Sequence, residues 1–274
     1  MTLEIGGPLL LVGAGKMGGA LLTGWLDGGL DPDSVFVRDP AAPDILSDEV
    51  RDKGVHLIEN LADMRTPPRV MVLAVKPQMI DEVLPPLKTA LGTDTVVLSI
   101  VAGKTVAAME CHLGSDVAIV RSVPNTPAAV GRGISVAYSS ANVNDDQREA
   151  CDGLLQAAGV VTWTDDEAHL DAVTGVSGSG PAYIFLMAEC LEEAGVDAGL
   201  DRELARQLAR ETVSGAGELL RQSDEAASIL RENVTSPKGT TAEALKILMG
   251  SEGLQELVSR AVKAATQRSR ELSS

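Results

Sequence analysis

Residues 233–245 read NVTSPKGTTAEAL, a stretch that sets four hydroxyls, a proline, a lysine and a glycine directly ahead of apolar residues at helical spacing (Ala244, Leu245, Leu248, Met249). Thr240 followed by Glu243 matches a capping box, so a helix is predicted from about Thr241, with Gly250 as its expected left-handed stop. Backbone amides at a helix start have no intrahelical partner, and the helix dipole favours negative charge there, so the segment has the makings of a carboxylate site. An ordinary capped surface helix explains the same pattern, and the stretch taken alone leaves both open.

A second chemical signal lies near the N-terminus. Gly13, Ala14, Gly15, Lys16, Met17 and Gly18 form a GxGxxG turn placed after an apolar run and before a helical pattern. Gly13 permits the tight turn, Gly15 lets a pyrophosphate approach the backbone, and Gly18 lets helix and strand pack closely, which together point to a dinucleotide. At the end of the next strand stand Arg38 and Asp39. An acid at that place hydrogen-bonds a free ribose 2′-hydroxyl, whereas an arginine pairs with a 2′-phosphate. Both are present, so NADPH and NADH are both compatible, with Arg38 favouring the phosphate. Two further loops, Ala74-Val75-Lys76-Pro77 and the one holding Asn125 and Thr126, follow apolar strands and are expected at the carboxyl edge of the same sheet, where ligands of open α/β sheets bind.

These loops need a scaffold. Runs at 8–15, 34–40, 69–77, 94–103 and 117–125, with further ones near 134–140 and 160–164, predict buried strands, and helical patterns at 16–28, 78–91, 105–112 and 144–158 alternate with them. That order predicts a doubly wound, mainly parallel sheet of Rossmann type over residues 1–165. After residue 166 only helices are expected. Ile184, Met187, Ala188 and Leu191 line one, and Leu204, Leu208, Thr212, Ala216 and Leu219 another, rich in small residues. An all-α segment of that size, 166–274, is expected to complete its core against a second subunit.

Composition narrows the function classes. The 274 residues are 45% hydrophobic and 23% charged, with a net charge of −16, as in a globular protein whose surface repels nucleic acid and anionic membranes. Cys111, Cys151 and Cys190 are widely spaced and suggest neither disulfides nor zinc, and the three histidines form no metal-ligand spacing, so no metal is expected. No signal peptide or membrane-length apolar run is recognised, so a cytoplasmic location is expected.

Taken together, GAGKMG, LAVKPQ, VPNTPAAVGRG, DAVTGVSGSGPAY (171–183) and NVTSPKGTTAEAL resemble pyrroline-5-carboxylate reductases over nearly the whole chain. The resemblance implies NAD(P)H-dependent reduction of 1-pyrroline-5-carboxylate to L-proline by an N-terminal Rossmann domain and a C-terminal helical dimerisation domain. It also implies a homodimer, often assembled as a pentamer of dimers, with the active site between the cofactor domain and a partner's helical domain. By position it implies that Thr241 hydrogen-bonds the imine nitrogen and that the amides of Gly239, Thr240 and Thr241 hold the substrate carboxylate. Asn233, Val234 and Ser236 shape that pocket, and Ser177–Pro181 form a tight turn near the nicotinamide. Lys238 stands where many relatives carry glycine, and Asp39 where a small polar residue is common. Two competing readings remain: a β-hydroxyacid dehydrogenase or another imine reductase, the former having a catalytic lysine in its helical domain that residues 182–195 here lack, and a dinucleotide-binding protein without turnover.

Overall fold

The computed structural model describes residues 3–40 and 52–273. Eight strands form one sheet: β1 (Leu9–Val12), β2 (Val35–Arg38), β3 (His56–Leu57), β4 (Val70–Leu73), β5 (Val96–Ser99), β6 (Ala118–Val123), β7 (Gly133–Ser139) and β8 (Gly159–Trp163). Their spatial order is β3-β2-β1-β4-β5-β6-β7-β8. Every neighbouring pair is parallel except β6 with β7, where Val120 faces Ser139. Strand order reverses at β1 and β4, whose registers pair Leu9 with Val70 and Val12 with Leu73. That reversal is the crevice in which doubly wound sheets hold ligands.

The strands are near-continuous apolar runs because both faces of the sheet are covered. Leu9 and Leu11 of β1 point into one core with Val35, Val37, Val70 and Val72, while Leu10 and Val12 point into the other with Met71 and Leu73. The first core is closed by α1 (Lys16–Asp27) and α4 (Asp145–Gln156), through Leu21, Leu22, Trp25, Leu154 and Leu155. The Trp25 indole N–H donates to the Leu154 carbonyl at 2.8 Å, tying the two helices together. The second core is closed by α2 (Ile80–Leu87) and α3 (Val106–Leu113) through Ile80, Leu84, Leu87, Met109 and Leu113. α4 begins with a working capping box, Asn144 Oδ1 accepting from the Gln147 amide at 2.9 Å and Gln147 Oε1 accepting from the Asn144 amide at 3.0 Å.

The chain divides into two compact units, Met1–Gly178 with Ala265–Ser274, and Ser179–Ala264. In the first, α5 (His169–Val173) runs into a wide π-helical turn at Thr174–Gly178. The turn expected over Ser177–Pro181 is reduced to a bend at Ser179 between the π segment and α6 (Gly180–Asp197), and Ser177 Oγ donates to the Val173 carbonyl at 3.1 Å. The last residues of α10 (Leu254–Ser273) belong to this unit, where Ser269 Oγ donates to Asp171 Oδ1 at 2.6 Å and Leu272 lies over Gly103.

The second unit holds α6, α7 (Arg202–Gln222), α8 (Ala227–Asn233), α9 (Thr240–Leu248) and the start of α10. α6 and α7 approach closely where Gly195 meets Ala205, and Arg202 joins them through Glu193 at 2.6 Å and Glu192 at 3.3 Å. That guanidinium holds the Glu193 carboxyl below the usual carboxylate range. Ala205 and Ala209 are the buried apolar residues of this unit among the described residues. Ile184, Phe185 and Leu186 on α6 and Leu208 and Leu219 on α7 are exposed. Among the described residues, no helix is long and apolar enough to cross a membrane, and no group of three or more His, Cys, Asp or Glu is placed to hold a metal ion.

Candidate functional site

The glycine turn lies at the carboxyl end of β1. Gly13 has φ +93°, and a Cβ there would sit 2.8 Å from the Ala74 backbone, so no other residue fits without displacing the β4 loop. A Cβ on Gly18 would run into the Gly13 carbonyl oxygen and stand 3.1 Å from the Ala74 methyl. Gly15 is different: nothing lies within 4 Å of where its Cβ would be. Gly15 is also the N-cap of α1, with no side chain on the cap and no acid in the first turn. Open space over unclaimed helix-start amides fits the pyrophosphate of a dinucleotide. The side chain of Lys16 is exposed at the head of that helix and Met17 packs toward the first core.

Gly13, Gly15, Arg38, Asp39, Ala74, Val75 and Lys76 line a single cleft of about 520 Å³. Three strand ends (β1, β2 and β4) therefore bring these seven of the residues expected at the cofactor to one place. Pro77 opens a short 3-10 turn that leads into α2, with Lys76 extended before it at φ −66° and ψ 143°. Val12 and Pro40 also line the cleft, and Met79, Glu82, Val83 and Pro86 complete its wall; sequence reasoning missed the last four. Their signal was available, since α2 follows directly on the Lys76-Pro77 loop.

Asn125 and Thr126 are not among the residues lining this cleft. The Asn125 side chain is 9% exposed and used on both sides: Oδ1 accepts from the Ile134 amide at 2.9 Å and Nδ2 donates to the Ser177 carbonyl at 3.1 Å. Its observed work is to fix the start of β7 and the π turn. Thr126 is exposed and starts a 3-10 segment, Thr126–Val130.

The second group of residues surrounds the start of α9. Asn233 ends α8 and its Nδ2 donates to Glu225 Oε2 at 3.3 Å; Val234 follows, exposed. The Gly239 amide donates to the Ser236 carbonyl at 3.0 Å, and Gly239 lacks a Cβ where one would collide with Ser236 Oγ. Lys238 has φ +60°, the one positive-φ residue other than glycine among the described residues. Holding a side chain in that region costs roughly 1 kcal/mol, which accounts for glycine being at home there.

The expected capping box at Thr240 and Glu243 does not form. The N-cap is Gly239, extended at φ −79° and ψ 172°, with no side-chain bond on the cap, so Thr240 is already the first helical residue. Glu243 falls one position too deep to reach back and pairs instead with Lys246 Nζ at 2.6 Å. The helix head is thereby left without a side-chain cap, Thr241 half-buried at its second position. At the other end Met249, not a left-handed Gly250, closes the helix, at φ −101°.

Comparison with known proteins decides the family. A family model described as pyrroline-5-carboxylate reductase dimerisation matches residues 167–272, and one described as NADP oxidoreductase, coenzyme F420-dependent, matches 9–103. The pyrroline-5-carboxylate reductase of Pseudomonas aeruginosa is 38% identical over 269 residues, covering 96% of both chains.

The chain belongs to the pyrroline-5-carboxylate reductase family.

The reductase of Haemophilus influenzae is 34% identical, covering 96% of this chain and 97% of its own. Among solved structures, a pyrroline-5-carboxylate reductase from Coxiella burnetii superposes with a TM-score of 0.90 at 35% identity, covering 98% of this chain and 99% of that one. The Plasmodium falciparum pyrroline carboxylate reductase with NADP bound superposes with a TM-score of 0.84 at 30% identity, over 99% of this chain and all of the other. The N-terminal Rossmann-like domain and the C-terminal helical dimerisation domain of the family are both present in this chain.

Proposed function

We propose that this chain reduces 1-pyrroline-5-carboxylate to L-proline with NADPH, NADH also being accepted. Residues 1–165 carry the dinucleotide and residues 166–274 serve dimerisation and substrate binding. The dinucleotide, when bound, supplies a hydride to the imine carbon. Gly15 and the helix-start residues Lys16, Met17 and Gly18 would hold its pyrophosphate, with Gly13 and Ala14 shaping the turn beneath it through amides already given to Arg38 and Asp39; Arg38 and Asp39 stand at the end of β2, where the adenosine ribose is read, and Ala74, Val75, Lys76 and Pro77 form the opposite wall. Asn125 and Thr126 support the same side from the end of β6.

The substrate carboxylate is held by the amides of Thr240 and Thr241, the expected third donor, the Gly239 amide, being taken by the Ser236 carbonyl, and the Thr241 hydroxyl donates to the ring nitrogen. Asn233, Val234 and Ser236 shape the surrounding pocket. The observation that carries this assignment is the uncapped start of α9, where a strained Lys238 and a Cβ-free Gly239 turn the chain and present the Thr240 and Thr241 amides with no side-chain cap competing for them. Charge developing on the ring nitrogen is met by a fixed donor, and alignment of a small rigid substrate lowers the barrier by several kcal/mol. The C=N bond takes the hydride at carbon and one proton at nitrogen, and that proton arrives with the protonated imine or from water, so no separate acid and base pair of the protein is required.

We further propose a homodimer, extended to a pentamer of dimers, acting in the cytoplasm without nucleic-acid or membrane partners, in keeping with the exposed apolar face of the second unit and the net charge of −16. The deciding experiment is an assay of NADPH and NADH oxidation with the pyrroline as acceptor. Proline formation matched to cofactor oxidation is expected; absence of turnover with either cofactor would leave only a dinucleotide-binding protein.

A further inference from the structure

Asp39 does something in this fold that its place at the end of β2 does not by itself require. β1 and β2 are parallel neighbours with Val12 opposite Arg38, and the ladder continues one step as the Gly13 amide donates to the Arg38 carbonyl at 3.0 Å. Asp39 thus lands beside the glycine turn, and its Oδ2 accepts from the Ala14 amide at 2.6 Å. Ala14 is 2% exposed, so the bond is shielded from water on the loop side. A carboxylate on an amide at this separation is a charge-assisted bond, shorter and stronger than a neutral one. The neighbouring side chain goes elsewhere: Arg38 Nε donates to the Glu59 carbonyl at 3.3 Å.

We infer that Asp39 is a positioning residue for the phosphate-binding turn, setting the Gly13–Gly15 backbone so that Gly15 and the first amides of α1 face the pyrophosphate. The inference rests on the dinucleotide assignment above and gives Asp39 a role distinct from reading the ribose. The two roles have different consequences. The pyrophosphate is common to NADPH and NADH, so loosening the turn weakens both by the same factor. An acid that reads the ribose distinguishes them, and its removal moves the two affinities in opposite directions.

The test is fluorescence titration of the full-length wild-type chain and three variants with each reduced dinucleotide. Asp39→Ala removes the acceptor and Asp39→Ser draws its oxygen back by one bond from the Ala14 amide and removes the charge; both are expected to raise both dissociation constants about tenfold, the size of one charge-assisted bond. Asp39→Asn removes the charge but keeps an oxygen in reach of Ala14, and is expected to return both constants to within about threefold of wild type. Opposite changes for NADPH and NADH, no change in the Ala and Ser variants, or an Asn variant as weak as the Ala variant would each overturn the inference. A wild-type chain that bound neither dinucleotide would overturn the cofactor assignment as well, and would be seen before any variant was compared.

Discussion

Leu9, Leu10, Leu11, Trp25, Met71 and Leu98 of the first unit are wholly buried, whereas Ile184, Phe185 and Leu186 in the second stand 53%, 63% and 56% exposed. Both units are rich in apolar residues, so composition does not separate them. Geometry does. A sheet covered by helices on both faces has two interiors and gives each strand residue somewhere to go, while a pair of helices such as α6 and α7 has one seam, filled here by Ala205 and Ala209. Close approach of the helices at Gly195 makes that seam tight but thin. The first unit therefore carries its own stability, and the second is built to gain its stability from association.

The contrast can be broken most forcefully at Trp25. Trp25→Ala empties the first core and removes the bond to Leu154, so a loss of about 4 kcal/mol is expected in urea unfolding. An unchanged midpoint would mean that the first unit does not rely on its own interior. On the other side, Phe185→Asp places a charge on the exposed α6 face; the expected result is dissociation, with at least about thirtyfold weaker self-association in sedimentation, equivalent to one interface anchor. Retention of the assembly would assign that face to solvent.

Thr241→Ala sharpens the division of labour between the units. Turnover is expected to fall roughly ten- to a hundredfold, the size of one lost transition-state hydrogen bond, with the dissociation constants for both dinucleotides unchanged. Unaltered turnover would remove Thr241 from the chemistry. The smallest effect is in thiol labelling. Burial pushes the Cys151 thiol well up, and because the thiolate is the reactive form, Cys151 should stay unlabelled until the chain unfolds. Cys111 and Cys190 are exposed in the chain, and Cys190 on α6 is expected to react more slowly as the protein is concentrated and the helices associate. Equal rates for Cys190 at all concentrations would place it outside any interface.

Much of the fold was legible because strand-forming and helix-forming residues in this chain carry strong periodic signals. LLLV, VFVR, VMVL, VVLS and AIVRSV are each a strand in the predicted place, and the glycine turn stands where its three residues are physically required. β3 escaped notice because two residues carry no period. At the candidate site, the cleft residues from β1, β2 and β4 were legible from position along the sheet. The capping box at Thr240 misled because a four-residue pattern does not say which residue turns the chain; Ser236, Lys238 and Gly239 do so one position earlier. Asn125 was legible as a residue at a strand end, but not as one whose amide is held by Ile134 and Ser177.

Period, turn chemistry and motif spacing are local properties, and by themselves they determined that this chain makes an alternating α/β half followed by helices, with a dinucleotide turn at Gly13 and a hydroxyl-rich helix start near Thr241. Strand order, the antiparallel entry of β7, the bond from Asp39 to Ala14 and the docking of Ser269 on Asp171 were decided only in three dimensions. Each of these joins residues far apart in the chain, and their partners are selected by which surfaces meet when the sheet closes its two cores, a choice no short stretch of sequence contains.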